Sequence, residues 1–123
     1  MAKVKIGFVG VGNMGQAAHL RNYVHVPDCE VVALAEVRPE LARKVAEHYG
    51  IPRVYANHEE MLGKEKLDGL VASQKFIRHA TLVPELLKAR IPIFTEKPLA
   101  GCVEAGETII RALDQSGTWH MVG

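Results

Sequence analysis

Cysteine is scarce in this sequence: Cys29 and Cys102 are the only two among 123 residues, and they lie far apart. A small domain held together by disulfides carries more cysteines, and a metal-binding knuckle carries them in closely spaced pairs. The six histidines form no tight cluster along the chain either. We therefore expect two free thiols in a reducing, cytoplasmic environment, and no metal site.

An excess of charge of one sign is also absent, as are long apolar runs. Lysine and arginine number 15 against 14 aspartates and glutamates, so the net charge of +1 gives no electrostatic basis for binding nucleic acid or a membrane surface. The longest apolar runs have the length of a strand, far short of the roughly 20 residues that span a bilayer. Because Met1-Ala2-Lys3 leads directly into a strand pattern, we expect no signal peptide.

The sequence does contain a regular alternation of strand-like and helix-like segments. Short apolar runs predict six strands, over residues 4–9, 30–35, 53–55, 67–72, 91–95 and 118–122. Helical patterns and capping residues predict helices over residues 13–23, 39–49, 78–89 and 103–115, with a brief one after Asn57. Strands joined through helices pair in parallel by right-handed crossovers. We predict one α/β domain over residues 1–123, a Rossmann-type, doubly wound, six-stranded parallel sheet with helices on both faces.

A glycine-rich turn follows the first predicted strand. Its spacing is G-x-G-x-x-G, and its residues are Gly10, Val11, Gly12, Asn13, Met14 and Gly15. Gly10 permits a tight turn, Gly12 lets a pyrophosphate approach the main chain, and Gly15 lets the following helix pack close to the sheet. The start of that helix offers free N–H groups and a partial positive charge to phosphates. The turn therefore predicts a dinucleotide site that includes Asn13 and Met14.

An acidic residue, Glu36, closes the second predicted strand at the spacing expected beyond such a turn. A carboxylate there accepts hydrogen bonds from the adenosine ribose hydroxyls and repels a 2′-phosphate, so it favours NAD over NADP. Arg38 lies two residues further on, and its guanidinium could instead hold that phosphate, which leaves NADP open. A solvent-exposed loop pair is the alternative interpretation of these two residues.

A lysine, Lys97, follows the fifth predicted strand within the run Thr95-Glu96-Lys97-Pro98. The carboxyl ends of parallel strands form the ligand-binding edge of a doubly wound sheet. Pro98 restricts Lys97 to extended backbone angles, which helps to fix where its side chain projects. Oxidation of an alcohol by hydride transfer needs a group that accepts the hydroxyl proton, and a lysine beside the cofactor can serve. The alternative is an ordinary surface lysine.

Three segments together resemble the Gfo/Idh/MocA (glucose–fructose oxidoreductase, inositol dehydrogenase, rhizopine catabolism) family. They are the glycine turn, residues 68–79 and, above all, Glu96-Lys97-Pro98-Leu99-Ala100. The glycine turn is shared with many dinucleotide enzymes, whereas the last motif is fairly specific at its position after the fifth strand. The resemblance extends over the whole chain, and it implies a two-domain NAD(P)-dependent oxidoreductase that acts on a sugar, an inositol or a similar polyol.

The resemblance also implies roles for individual residues. Lys97 would lie near the nicotinamide and the substrate as the catalytic group, and Glu96 would help to position the cofactor. His79 matches a histidine that the family places near the cofactor, with a surface histidine at the start of a helix as the alternative. Ser73 and Gln74, which close the fourth predicted strand, would face the dinucleotide by position.

Two departures from the family pattern limit what the resemblance implies. The family usually carries a Pro-Asn pair where this sequence has Lys75-Phe76, so the cofactor contacts there are open. The family's second domain, which supplies most of the substrate site and the oligomerisation sheet, is absent. We therefore expect the cofactor domain of a dehydrogenase, with little activity alone and with self-association through uncovered apolar surface. The alternatives are a stand-alone dinucleotide-sensing module and a non-catalytic relative that regulates a partner.

Overall fold

The computed structural model describes residues 2–123, and its six strands form one sheet. The strands are β1 (Val4–Val9), β2 (Cys29–Ala35), β3 (Arg53–Tyr55), β4 (Gly69–Ala72), β5 (Ile93–Thr95) and β6 (His120–Val122). All neighbouring strands are parallel, and their order across the sheet is β3-β2-β1-β4-β5-β6. The chain runs outward from β1 to β3 and then returns to β4 on the other side of β1. The predicted doubly wound fold is confirmed, with its switch point between β1 and β4.

Helices connect the strands as the sequence predicts. A π-helical segment (Gly15–Leu20) continues into α1 (Arg21–Tyr23), and the other helices are α2 (Pro39–Tyr49), α3 (His58–Lys64), α4 (His79–Leu87) and α5 (Val103–Ser116). The predicted cap of α3 is present, because the Asn57 side chain accepts a hydrogen bond from the Glu60 amide at 2.8 Å. Within residues 2–123, no helix combines the length and the apolar character that crossing a membrane requires.

The helices cover both faces of the sheet because successive strand residues point to opposite sides. Phe8 of β1 is buried on one face in a cluster with Leu20 and Val45, which belong to the π-helical segment and to α2. The next residue, Val9, is buried on the other face in a cluster with Leu86 and Ile109 of α4 and α5. Two hydrophobic cores thus hold the sheet between its helices, one on each face.

Three strands, β4, β5 and β6, each begin two residues later than the sequence pattern predicts. Before β4, the Asp68 amide donates to the Lys5 carbonyl at 2.8 Å, while the Lys5 amide donates to the Asp68 side-chain carboxylate, also at 2.8 Å. Before β5, Pro92 has no N–H to donate, although its carbonyl accepts from the Leu70 amide at 2.9 Å. The apolar pattern indicates that a strand is present, and it does not show where regular main-chain pairing starts.

Candidate functional site

The glycine turn lies at the carboxyl end of β1, beside the switch point of the sheet. Gly10 has a φ of +86°, a conformation that residues with side chains rarely adopt. A Cβ at Gly10 would collide with the Gln74 side chain and would lie 2.9 Å from the Ser73 carbonyl oxygen. The Gly10 amide donates to the Ala35 carbonyl at 2.9 Å, which ties the turn to β2. The predicted need for glycine in this tight turn is confirmed.

The other two glycines of the turn have different surroundings. A Cβ on Gly15 would lie 3.0 Å from the Gly10 carbonyl oxygen and 3.4 Å from the Ser73 Cβ, so a side chain here would force its neighbours to shift by a few tenths of an ångström. A Cβ on Gly12 would approach only the Arg38 guanidinium, at 3.7 Å. Gly15 therefore serves packing, as predicted, whereas Gly12 borders open space that a ligand could occupy.

Helical backbone begins at Asn13, directly after the turn. The Gln16 amide donates to the Gly12 carbonyl at 2.9 Å, while the first-turn amides of a helix have no acceptor within the helix. Asn13 and Met14 are both exposed at this end. The π-helical segment Gly15–Leu20 follows, and π-type turns are frequent at functional sites. The turn thus presents main-chain donors and the positive end of a helix to an anion.

Glu36 lies directly after β2, at the same edge of the sheet, and is only 6% exposed. Its two carboxylate oxygens accept hydrogen bonds from Arg38 Nη2 at 2.8 Å, Arg38 Nε at 3.1 Å, the Arg38 amide at 3.0 Å and the Val11 amide at 3.3 Å. Burial, the largest single influence, raises the pKa of the Glu36 carboxyl, but the hydrogen bonds from Arg38 and Val11 together bring that pKa below its ordinary value. Glu36 is therefore a buried carboxylate held by Arg38, and the alternative interpretation as a solvent-exposed loop residue is wrong.

A cavity of about 220 Å³ opens beside Glu36, at the carboxyl ends of β2 and β3. Its walls include Pro39, Ala42, Val54 and Tyr55 as well as Glu36. The cavity therefore combines a mostly apolar lining with one acidic residue. Such a site suits a flat heterocyclic group attached to a hydroxyl-bearing sugar.

Ser73 and Gln74 lie just beyond β4, next to the glycine turn. The Ser73 amide donates to the Val9 carbonyl at 3.2 Å, and the Gln74 Nε2 donates to the same carbonyl at 3.3 Å. The Gln74 Oε1 in turn accepts from Arg78 Nη1 at 2.8 Å. Both residues are half-buried at the binding edge, and Gln74 already has protein partners on both ends of its amide. Their contact with a dinucleotide stays a prediction.

Glu96 and Lys97 follow the last residue of β5, on the opposite side of the switch point from Glu36. Glu96 Oε1 lies 2.6 Å from the Nε2 of His19, a residue of the π-helical segment. The other oxygen, Oε2, accepts from the Lys97 amide at 3.1 Å. Lys97 is exposed, and among the ion pairs within residues 2–123 none involves its ammonium group. The edge therefore carries an unpaired amine beside a carboxylate that is fixed in place.

His79, at the start of α4, is completely buried, so the alternative interpretation as a surface histidine is wrong. Its Nδ1 donates to the Leu99 carbonyl at 2.9 Å, because a carbonyl oxygen only accepts. Within the part of the chain that the structure describes, its Nε2 has no hydrogen-bond partner. The ring thus supports the loop after Lys97 from behind, and a direct contact with a cofactor stays a prediction.

A second histidine, the half-buried His120 of β6, lies near His79. Its Nε2 is 2.7 Å from the Thr95 Oγ1, at the end of β5. Burial lowers the pKa of His120, and the neighbouring His79 lowers it further. Sequence patterns did not single out Thr95 or His120, because each resembles an ordinary strand residue until the strands are paired.

One group of potential metal ligands lies away from this edge, on α3 and α4. His58, Glu59 and Glu85 each place one donor atom within 4.8 Å of the others. His58 Nε2 is already 2.8 Å from a Glu85 oxygen, and the carboxylates are solvent-exposed. His58 also begins α3, where the positive end of the helix disfavours a cation. We interpret the group as a hydrogen-bonded contact between two helices, and the predicted absence of a metal site stays a prediction.

His19 is the site residue that sequence reasoning missed. It lies four residues after Gly15, so helical spacing places both on one side of the helix. Gly15 packs against the sheet edge, and this spacing was the available signal that His19 would reach the same edge. The partner, Glu96, lies 77 positions further along the chain, so only the folded topology identifies the pair.

Comparison with known proteins agrees with this geometry. The model of the Gfo/Idh/MocA family, described as an oxidoreductase family with an NAD-binding Rossmann fold, matches residues 4–123. An inositol 2-dehydrogenase from Rubrobacter xylanophilus is 32% identical over 111 residues, which are 89% of this chain and 31% of that protein. A myo-inositol 2-dehydrogenase from Thermotoga maritima is 28% identical over 79% of this chain and 29% of its own length.

Solved structures lead to the same conclusion about the fold. The WlbA dehydrogenase from Bordetella pertussis, in complex with NADH and UDP-GlcNAcA, superimposes with a TM-score of 0.90 at 25% identity, over 98% of this chain and 37% of that one. A scyllo-inositol dehydrogenase from Lactobacillus casei has a TM-score of 0.89 at 22% identity and shares the fold. The chain spans about a third of the length of the curated relatives it matches, 31% and 29% of the two named above.

Proposed function

The chain belongs to the Gfo/Idh/MocA oxidoreductase family as its NAD-binding Rossmann domain, and from this premise we propose that it serves a dehydrogenase acting on a sugar- or polyol-type alcohol. The reaction would move a hydride between the alcohol carbon and the nicotinamide ring. Inositol dehydrogenases among its relatives support this substrate class. Because the chain spans about 31% of the length of such a relative, we propose that a further domain supplies the substrate contacts.

The observation that carries the proposal is the open position at Gly12. Its nearest side-chain atom to a would-be Cβ is 3.7 Å away, at the point where the helix presents unpaired amides. A pyrophosphate at this point would accept hydrogen bonds from the amides of residues 12–15, with Asn13 and Met14 at its border. The positive end of the helix would offset its charge. Gly10 and Gly15 would hold the turn in the shape that this contact needs.

The adenosine half would lie in the cavity beside Glu36. There the ribose hydroxyls would donate to the buried carboxylate, which now accepts from Arg38. Cofactor binding therefore needs part of this ion pair to open. Arg38 is exposed over 61% of its side chain, so it can turn outward while Glu36 stays in place. We propose a preference for NAD, with NADP admitted when Arg38 pairs with the 2′-phosphate instead.

The nicotinamide half would extend along the ends of β4 and β5, past Ser73 and Gln74 and toward Glu96. The neutral amine of Lys97 would accept the proton that leaves the substrate hydroxyl as the carbonyl forms, and the resulting ammonium group would return that proton in the reverse reaction. The exposure of Lys97 supports this role, since a substrate can reach the position. His79 would contribute by supporting the loop that follows Lys97.

A stand-alone sensing module is the alternative function. Such a module would use the glycine turn and Glu36 equally well, but it has no use for a lysine anchored beside the nicotinamide. The fixed Glu96–Lys97 segment therefore favours the dehydrogenase.

We also propose a cytoplasmic location and self-association. Both thiols are free, and Cys102 is exposed, which suits a reducing compartment. Self-association is supported by exposed apolar side chains on β6 and before it, Trp119 at 55% and Met121 at 54% exposure.

The proposal is tested by calorimetric titration of NADH into the chain and two glycine variants. Gly12→Val places a branched side chain where the phosphates would lie, and a Cβ there meets only the Arg38 guanidinium, at an ordinary contact distance of 3.7 Å. We expect a loss in affinity of more than about tenfold, or about 1.4 kcal/mol. Gly63→Val is the matched control, because a Cβ at Gly63 also meets open space but lies in α3. Equal affinity of both variants would contradict the proposed phosphate site.

A further inference from the structure

A hydrogen bond joins the proposed phosphate-binding helix to the segment that carries the proposed catalytic lysine. His19 Nε2 and Glu96 Oε1 are 2.6 Å apart, although 77 positions separate the residues in sequence. We propose that His19 is a positioning residue, which fixes Glu96 and thereby the Lys97 backbone at the nicotinamide end of the site. This inference rests on the proposed function and assigns His19 no contact with the substrate.

Both oxygens of the Glu96 carboxylate are engaged. Oε1 accepts from His19 at 2.6 Å, and Oε2 accepts from the Lys97 amide at 3.1 Å. The side chains of His19 and Glu96 are 13% and 21% exposed, so water competes weakly for these bonds. A carboxylate held at both oxygens has one orientation. The main chain at Lys97 is therefore fixed through its amide, while the lysine side chain itself stays free to reach a ligand.

The orientation of the His19 ring is itself determined by its neighbours. The edge of the ring packs against Phe94 of β5, with 5.0 Å between the ring centroids and 66° between the planes. One turn earlier, Gly15 lies against the glycine turn, since a Cβ there would be 3.0 Å from the Gly10 carbonyl oxygen. The same helix thus contacts the phosphate end of the site through Gly15 and the nicotinamide end through His19.

The chemistry of the pair assigns the proton. A carboxylate only accepts, so the His19 Nε2 carries a hydrogen and donates it to Glu96. A side-chain amide nitrogen in the same position would also donate a hydrogen bond to Glu96. In glutamine the amide nitrogen reaches about as far from the main chain as the histidine Nε2, whereas in asparagine it reaches only as far as Nδ1. His19→Gln should therefore preserve the contact with Glu96, and His19→Asn should lose it.

Two ligands distinguish the contributions of the two ends of the site. NADH reaches both ends, whereas ADP-ribose has the same adenosine and diphosphate but lacks the nicotinamide. Each is titrated calorimetrically into the chain and its His19→Gln and His19→Asn variants. We expect His19→Asn to weaken NADH roughly tenfold, the scale of one charge-assisted hydrogen bond, and to leave ADP-ribose within about twofold. His19→Gln should restore most of the NADH affinity. His25→Asn, at an exposed histidine, is the matched control and should change neither ligand.

A second readout needs no cofactor. In the ¹⁵N–¹H spectrum of the ligand-free chain, the Lys97 amide signal should move in His19→Asn and stay near its original position in His19→Gln. An equal loss of NADH and ADP-ribose affinity, or a Lys97 signal that both variants leave unmoved, would overturn the positioning role while the proposed function stands. Failure of the unsubstituted chain to bind either ligand would instead overturn the proposed function, and this inference with it.

Discussion

The cofactor-binding edge of the sheet has two halves, one formed mainly by main-chain atoms and the other mainly by side chains. At the ends of β1 and β2, the surface consists largely of main chain, shaped by three glycines that lie within six consecutive residues. At the ends of β4 and β5, it consists of side chains that come from distant parts of the sequence, among them His19, His79 and Glu96. A phosphate needs amides and close approach, which a short motif supplies. A reactive end needs oriented side chains, which only the tertiary fold can assemble.

The two halves also tolerate change differently. In the glycine turn, space and backbone angle are both limiting, since Gly10 combines a φ of +86° with the nearby Ser73 carbonyl. Around Lys97, hydrogen bonds restrict which residues are tolerated. The half-buried His19 bonds Glu96, and the buried His79 bonds the Leu99 carbonyl. Substitutions in the first half should therefore act on the fold as well as on binding, and those in the second should act mainly on the alignment of the site.

The largest effect is expected at Gly10. Gly10→Ala has to adopt a left-handed backbone, which costs about 1–2 kcal/mol, and it also crowds the Ser73 carbonyl and the Gln74 side chain. Gly50→Ala is the matched control, because Gly50 has a φ of +71° with nothing near its would-be Cβ. In urea denaturation, Gly10→Ala should lower the free energy of unfolding by about 1–3 kcal/mol more than Gly50→Ala. Equal losses would mean that crowding contributes nothing to the turn.

A smaller effect is expected at Glu36, on cofactor choice rather than on the fold. Glu36→Gln keeps an acceptor for Arg38 but removes the negative charge that would repel a 2′-phosphate. The ratio of NADH to NADPH affinity should fall about fivefold, or roughly 1 kcal/mol. Fluorescence titration with both reduced cofactors measures the ratio, and Glu40→Gln on the exposed first turn of α2 is the control. If the ratio of NADH to NADPH affinity stays constant, Glu36 does not contact the adenosine half of the cofactor.

The sequence predicted the main-chain half of the site better than the side-chain half. The positions of the glycine turn and of Glu36 follow from spacing along one βαβ unit, and the fold order follows from the alternation of strands and helices. The His19–Glu96 pair could not be predicted in the same way, because it depends on how a helix lies against a strand that comes much later in the chain. The burial of His79 depends likewise on the loop that closes over it through Leu99.

Local chemistry also set limits on what the pattern could predict. Just before β4, Asp68 bonds Lys5 through both its amide and its side-chain carboxylate, which a pattern of apolar residues does not indicate. In the structure the Arg38 side chain folds back and donates to the Glu36 carboxylate. The spacing of the two charges in the sequence is equally compatible with an Arg38 side chain that points into solvent.

The central claim is that the amides after β1 hold the diphosphate of the cofactor. Its most direct test is a ¹⁵N–¹H titration of the labelled chain with NADH, which reports on each amide separately. The largest shifts should occur at the amides of residues 12–15, with smaller ones at Glu36 and Lys97. Shifts concentrated elsewhere, with the amides of residues 12–15 unmoved at saturation, would contradict the account.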